Sequence, residues 1–368
     1  MKIKTLLEQF SNIVSPSGYE YMAEPEIKKI IGGGFQNVFD EMIFDKFGGC
    51  RLVKRAANVG ADSISAQDKG ENGFRPYKKI MLDAHLDQIG LVVTEILDGG
   101  FLRVNSLGGL DLNILPASEF YVYTYEENEP FIFSADRKIY AIAVSVPPHL
   151  KKTTGENLPK LEDLYLDTGY DSKEELEKIV RIGSPVTFKS DFLNLENDLV
   201  SCAGMDDRLC AAVLMLALKS IEKPPAEIHL VLSAGEEDSG CGAATAAYDI
   251  GPDFALVLDV GFSRDPGVEA SGSFEIGKGA GISYSAATNI KLTKKIIDLA
   301  KNKKIPVQII AEPGSTGTNA DTIQITGEGI PCVLISIPIK NMHAFNEICS
   351  IKDVETTVEL VKAIIENM

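Results

Sequence analysis

The sequence predicts an α/β fold: a mixed sheet sandwiched by helices, interrupted by an inserted β-rich, barrel-like domain. Three observations predict it. Helical and strand patterns alternate up to about residue 92 and again from 199 onward. Between them, short β-type runs follow one another with almost no helix. The length of 368 residues also exceeds what one compact core usually holds. The expected division is residues 1–92 and 199–368 in one α/β unit, with 93–198 inserted.

The elements follow in order. "TLLEQFSNIV" is apolar at helical spacing and ends at the turn "SPSG"; "EYMAEPEIKKIIGG" is a second helix closed by glycines. "NVFDEMIFDKFGGCRLVKR" reads as a hairpin turning at Gly48 and Gly49, and a strand from Lys79 to His85 comes next. The insertion is marked by "FLRVNSL", "EFYVYTY", "PFIFSA", "IYAIAVSV" and "SPVTFKS", separated by turn residues, with one short helix at Ser172 to Val180. Alternation then resumes: helix Leu209 to Ile221, strand Ile228 to Ser233, helix Ala243 to Tyr248, strand Phe254 to Val260. Helix Leu292 to Asn302 and strands Val307 to Ala311 and Cys332 to Ile337 precede a last helix after Ser350. In that helix Val354, Val358, Val361 and Ile365 form a stripe, with Ser350 expected as N-cap and Asp353 at the capping-box position.

Composition narrows the function classes. Apolar residues make up 45% and charged ones 24%, as in a folded globular protein. A net charge of −17 argues against nucleic acid and anionic membranes as partners. The first apolar stretch is broken by Glu8 and Gln9 and lacks a small-residue cleavage site, so no secretory signal is expected. No apolar run approaches the ~20 residues of a membrane span. Six scattered cysteines without a C-x-x-C pair read as reduced thiols, and the expected compartment is the cytoplasm.

The chemistry is concentrated in a few places. "KKIMLDAHLDQIGLVV" begins and ends like a buried strand, yet Asp83, His85 and Asp87 recur at every second residue on one face. Burying such groups unpaired costs several kcal/mol, so partners must come from elsewhere. In open α/β sheets ligands sit beyond the carboxyl ends of the strands, and each strand end here carries candidates. "SCAGMDDRLCAAVLM" offers Asp206 and Asp207, "IHLVLSAGEEDSGCG" offers Glu236 and Glu237, "FALVLDVGFS" offers Asp259, and "CVLISIPIKNMHAFNE" offers His343. Two histidines and several carboxylates at one sheet edge are able to hold two divalent cations. Mixed imidazole and carboxylate donors suit zinc, and also cobalt or manganese. Each candidate has a bland reading as well. Asp206 and Asp207 are placed to cap a helix, paired glutamates usually sit in solvated loops, and His343 lies in a polar loop. Asp207 is assigned a structural role, His229 a place in a strand, and His149 a role in the insertion or a subunit contact.

These segments resemble the tetrahedral/glutamyl aminopeptidase family, metallopeptidase family forty-two. The resemblance rests on "AHLDQIG" (84–90), "GMDDR" (204–208), "GEE" (235–237), "LDV" (258–260) and "GEGIPCVLISIPIKNMHAFNE" (327–347), in order along nearly the whole chain. It implies a cocatalytic pair of metal ions per subunit: His85 and Asp259 on one, Glu237 and His343 on the other, with Asp206 bridging. It makes Glu236 the general base, and Asp87 the acid that hydrogen-bonds the distal nitrogen of His85. Short peptides are the implied substrates. A homo-oligomer is implied too, either a dimer or a dodecamer built from dimers, with the insertion as the oligomerisation domain. Asp83 receives no role. Two departures stand out: "GTNAD" has Asn319 where the family often has an acid, and "DSGCGA" lacks the usual arginine. Two other readings compete. A glycosidase would work through two separated carboxylates without metals. A non-catalytic metal-binding scaffold would have lost a ligand or the base.

Overall fold

Four parallel strands form the centre of the main sheet, side by side: β12 (Glu227–Ser233), β3 (Lys79–His85), β13 (Phe254–Phe262) and β16 (Cys332–Lys340). Beyond β12 lies the antiparallel hairpin β1 (Glu41–Phe44) and β2 (Cys50–Lys54). Beyond β16 come β17 (Glu347–Ser350), β11 (Leu199–Cys202) and β10 (Leu193–Asn194), while β14 (Ala280–Ser285) branches from β16 and carries β15 (Val307–Glu312). This computed structural model describes residues 2–56, 78–126, 129–145 and 160–368, and the sheet has eleven strands among them.

Side-chain parity explains why these segments lie where they do. Ile80, Leu82, Ala84 and Leu86 alternate onto one face of the sheet, as do Ile228, Leu230 and Leu232, and Phe254, Leu256, Leu258 and Val260. There they meet α1 (Ile3–Ser11), α2 (Glu24–Gly32), α4 (Met205–Lys219), α6 (Ile290–Lys303) and α8 (Ile351–Asn367) in one apolar core. Truncating a fully buried leucine such as Leu230 to alanine costs roughly 2–5 kcal/mol. The opposite face is thinner. Met81, Val231, Ala255, Val257 and Leu334 pack on α5 (Cys241–Ile250) and α7 (Ala320–Ile323). On that second face β3 and β13 change character before they end. Met81 gives way to Asp83 and His85, and Val257 to Asp259. The carboxyl edge of the sheet is thus polar on one face only.

A closed six-stranded barrel stands beside the sheet: β4 (Gly90–Ile96), β5 (Phe101–Leu107), β8 (Leu164–Asp167), β7 (Glu129–Ser145), β6 (Glu119–Glu126) and β9 (Pro185–Phe188). Its interior is apolar, with Leu91, Leu102, Phe120, Val122, Leu166 and Val186 all buried. Barrel strands run from Gly90 to Phe188, the first of them in "GLVV", which reads in the sequence as a continuation of β3. The helix expected from Ser172 to Val180 is only one turn, α3 (Lys173–Leu176), with Ser172 capping the Glu175 N–H.

Several expectations differ at short elements. β14 and β17 have no strong sequence pattern; they are short, and β17 is held by ladders to β11 and β16. α8 begins at Ile351, yet the Ser350 side chain makes no capping bond. Asp353 instead accepts the N–H groups of Gly277 and Gly279 at 2.6 and 2.7 Å, so a tertiary contact replaces the capping box. His149 lies outside the described residues. His229 lies in β12, 7% exposed, 2.8 Å from Glu227. All six cysteines are free thiols. Among the described residues no helix is long and apolar enough to cross a membrane.

Candidate active site

The parallel strands deliver their polar ends to one place. His85 closes β3, Asp259 sits near the end of β13, and Glu236 and Glu237 follow β12 in a tight turn. Asp206 opens α4, joined to Asp207 by a cis peptide bond, and His343 lies in the turn between β16 and β17. Asp206 is the centre of the arrangement. Its Oδ1 is 3.0 Å from His85 Nε2, and its Oδ2 is 3.3 Å from His343 Nε2. His343 Nε2 is also 3.4 Å from Glu237 Oε2, and Glu236 Oε2 is 3.8 Å from His85 Nε2. Two sets of donor atoms result, His85–Asp206–Asp259 and Asp206–Glu237–His343. Within each set the atoms lie within 4.8 Å of one another.

The His85 tautomer follows from its partner. Nδ1 is 3.0 Å from the backbone carbonyl of Asp87, which only accepts, so Nδ1 donates and Nε2 faces Asp206. The carboxylate of Asp87 is farther, at 3.5 Å. Its main work lies elsewhere, because Oδ1 and Oδ2 accept the backbone N–H groups of Glu236 and Glu237 at 3.0 and 3.1 Å. Carbonyl and carboxylate of Asp87 thus both lie beside the His85 ring nitrogen, and the carboxylate also fixes the glutamate turn. A sequence does not separate these two acceptors of one residue.

Other buried acids brace the site, and the motifs had assigned them no such work. Glu347, 2% exposed, accepts the Asp206 N–H at 3.2 Å and the His343 N–H at 2.9 Å. That second bond stabilises His343 in the left-handed region, at φ 62°, which histidine rarely adopts. Asp207 accepts the His85 N–H at 3.2 Å, in keeping with a structural role. Glu20 accepts the Gly18 and Gly235 N–H groups beside the glutamate turn. Arg208, 1% exposed, donates to the carbonyls of Leu86 and Ile13 and to Ser15 Oγ, tying the end of β3 to the N-terminal segment. Asp83 also gains a partner: Asn319 Nδ2 donates to it at 2.8 Å and lies 2.9 Å from Ser233 Oγ. An amide at position 319 gives Asp83 a donor where an acid would have set two carboxylates together. The barrel reaches the site as well. At Gly108 (φ 77°) an added Cβ would lie 3.2 Å from Glu237 Cβ and 2.9 Å from Ile89 Cγ2, so this connector approaches only as glycine.

The electrostatics are those of a densely packed cluster of buried acids and imidazoles. Burial pushes the Glu236 carboxyl up to about 7 and the Glu237 carboxyl up to about 9, with Asp206 adding to both. Burial, then Asp207 and Glu236, raise Asp259 well above the usual carboxylate range. His343 is raised to about 9, chiefly by its bond to Asp206. Burial opposes the charge on His85, but Asp206, Asp87 and Glu236 together outweigh it and raise the imidazole well above its ordinary value. Protons thus occupy a cluster of acids that positive charge would otherwise neutralise. Glu237 Oε1 is buried with no hydrogen-bond partner, as expected of a donor atom awaiting an ion. Geometry and donor chemistry both fit divalent cations. A cavity of about 520 Å³ opens from this cluster, lined on its far side by Phe262, Glu312, Thr316 and Asn319.

Comparison with known proteins agrees with the site. A family model described as M42 glutamyl aminopeptidase matches residues 63–360. The lysyl aminopeptidase of Pyrococcus furiosus is 30% identical over 355 residues, covering 96% of this chain and 93% of that one. A TET aminopeptidase from a marine-sediment thaumarchaeote superposes with a TM-score of 0.86 at 28% identity, covering 100% and 96% of the two chains. The TET1 peptidase of Pyrococcus horikoshii, which assembles into a tetrahedron or a large octahedral shell, superposes at 0.80 with 25% identity over the whole of both chains. The chain belongs to the M42 glutamyl aminopeptidase family and is a metal-dependent aminopeptidase.

Proposed function

We propose that the site binds two divalent cations, zinc by its donor set, and removes N-terminal residues from short peptides. His85 and Asp259 would hold one cation, Glu237 and His343 the other, with Asp206 common to both sets. The observation that carries this reading is the two-sided placement of Asp206, 3.0 Å from one imidazole and 3.3 Å from the other. When bound, the cations supply a water of lowered pKa and a polarised peptide carbonyl. Glu236 accepts the proton of the attacking water and returns it to the departing amine. Its carboxyl sits beside the donor atoms, 3.8 Å from His85 Nε2, outside both donor sets and so free to move a proton. Asp87 keeps Glu236 and Glu237 in register through their N–H groups, so Glu237 would hold a cation while Glu236 stays outside the donor sets.

The barrel, with the segments joining it to the sheet (93–198), is read as an inserted assembly domain. Exposed Tyr140 and Ile142 on β7, 64% and 48% accessible, and the shells formed by the TET1 peptidase support a homo-oligomer, dimer-based and dodecameric. The free thiols support a cytoplasmic setting. Imidazoles against Asp206 on both sides weigh against a glycosidase, and a complete donor set with Glu236 beside it weighs against a mere scaffold.

The test is release of amino acids from unblocked and N-acetylated tripeptides by zinc-loaded protein and its Glu236→Gln variant. Cleavage of unblocked peptides only is expected, falling about 10²–10⁴-fold in the variant, with metal content unchanged. A variant that keeps its turnover would remove Glu236 from the mechanism.

A further inference from the structure

The cavity holds more negative charge than two divalent cations require. Asp206, Glu237 and Asp259 supply three carboxylates to the donor sets and Glu236 a fourth beside them, enough to offset both ions. Two further carboxylates line the same cavity: Glu312 at the end of β15 and Asp321 in α7. No lysine or arginine lines it among the described residues. Asp321 is already engaged, accepting the N–H groups of Thr316 and Gly317 and the hydroxyls of Ser315 and Thr316. Glu312 is not. Its carboxylate makes no hydrogen bond or ion pair among the described residues, and its Oε2 is buried without a donor.

A second acceptor in the wall is also unsatisfied. Asn319, 2% exposed, directs its amide nitrogen to Asp83 and Ser233, which leaves Oδ1 with no donor. A buried acceptor without a donor is costly until one arrives. The wall is otherwise suited to a long apolar stem: Phe262 is 59% exposed, and Val260 and Met342 line the cavity with it.

We propose that this cavity takes the side chain of the substrate's N-terminal residue and selects a cationic one, lysine or arginine. Glu312 pairs with the ammonium or guanidinium, Asn319 Oδ1 accepts a further N–H, and Phe262 and Met342 pack against the methylenes. The inference rests on the aminopeptidase reading and adds the substrate class to it. A glutamate side chain would meet Glu312 as a like charge, and an aliphatic one would leave it unpaired.

The test compares Lys-Ala-Ala, norleucyl-Ala-Ala and Glu-Ala-Ala on zinc-loaded protein, because norleucine keeps the lysine stem and lacks the ammonium. The lysyl peptide is expected to exceed the norleucyl peptide in kcat/KM by about 10- to 100-fold, the scale of a charge-assisted hydrogen bond, with the glutamyl peptide lowest. In Glu312→Gln the lysyl-to-norleucyl ratio is expected to shrink about tenfold. Calorimetry with free L-lysine and L-norleucine should show the same order without turnover. Norleucyl peptide cleaved as well as lysyl peptide would overturn the proposal and leave the aminopeptidase reading intact. So would a Glu312→Gln variant in which both fall together at constant ratio, because Glu312 would then hold the α-ammonium. No cleavage of any of the three would sink both.

Discussion

The two donor sets of the proposed metal centre are built from different materials. His85 and Asp259 project from neighbouring strands of a sheet packed on both faces, and with Asp206 they are 1%, 5% and 6% exposed. The other half hangs on connections: Glu237 belongs to a turn, and His343 sits in a left-handed turn residue with its side chain 36% exposed. A strand-borne donor is placed by the core. A loop-borne one has to be held by something else, here Asp87 under the glutamate turn and Glu347 under His343. The buried half should therefore bind its cation more tightly, and the half built on loops should exchange first.

The largest effect is expected at the shared acid. Asp206→Asn replaces one oxygen with an amide donor and should empty both halves together, lowering aminopeptidase turnover by about 10³-fold, the scale of losing a principal electrostatic stabiliser. Metal analysis after gel filtration checks it; a variant that retained one full equivalent would show that Asp206 serves a single cation.

A smaller and one-sided effect is expected at Glu347→Gln. The amide can accept only one of the two N–H groups that Glu347 now serves, at Asp206 and His343. Affinity for the loop-side cation should fall about 10- to 100-fold, with the other half less affected. Equal weakening of both halves would mean that Glu347 acts on the fold at large.

A further effect on the loop-side half alone is that of pH. Burial raises Glu237 to about 9, and the bond to Asp206 raises His343 to about 9, so both hold protons near neutrality in the cation-free protein. Those protons must leave before a cation binds. Apparent affinity of the loop-side half should rise as pH rises toward 9 and weaken on acidification, about tenfold per unit for each proton displaced. Chelator competition across that range measures it, and a flat profile would contradict the assignment.

How much was legible in the sequence follows the same division. The strand-borne groups could be read directly, because Asp83, His85 and Asp87 break an alternating apolar pattern and Asp259 ends another. Glu347 could not. "HAFNE" looks like a solvated loop, and only the pairing of β17 with β11 sets that carboxylate beneath Asp206. Asp87 was found from its place beside His85, but its second task, holding the Glu236 and Glu237 N–H groups, depends on the folded turn. Asp83 stayed unexplained because its donor, Asn319, is 236 residues away. The barrel was legible from its short strands and turns, though not its first residues, where β3 and β4 run together as one apolar stretch.

Calorimetric titration of chelator-stripped protein with zinc tests the shared-acid account most directly. Two equivalents should bind in two unequal steps, with His343→Ala abolishing only the weaker. A single equivalent, or a His343→Ala variant still binding two ions at the parent's affinities, would contradict it.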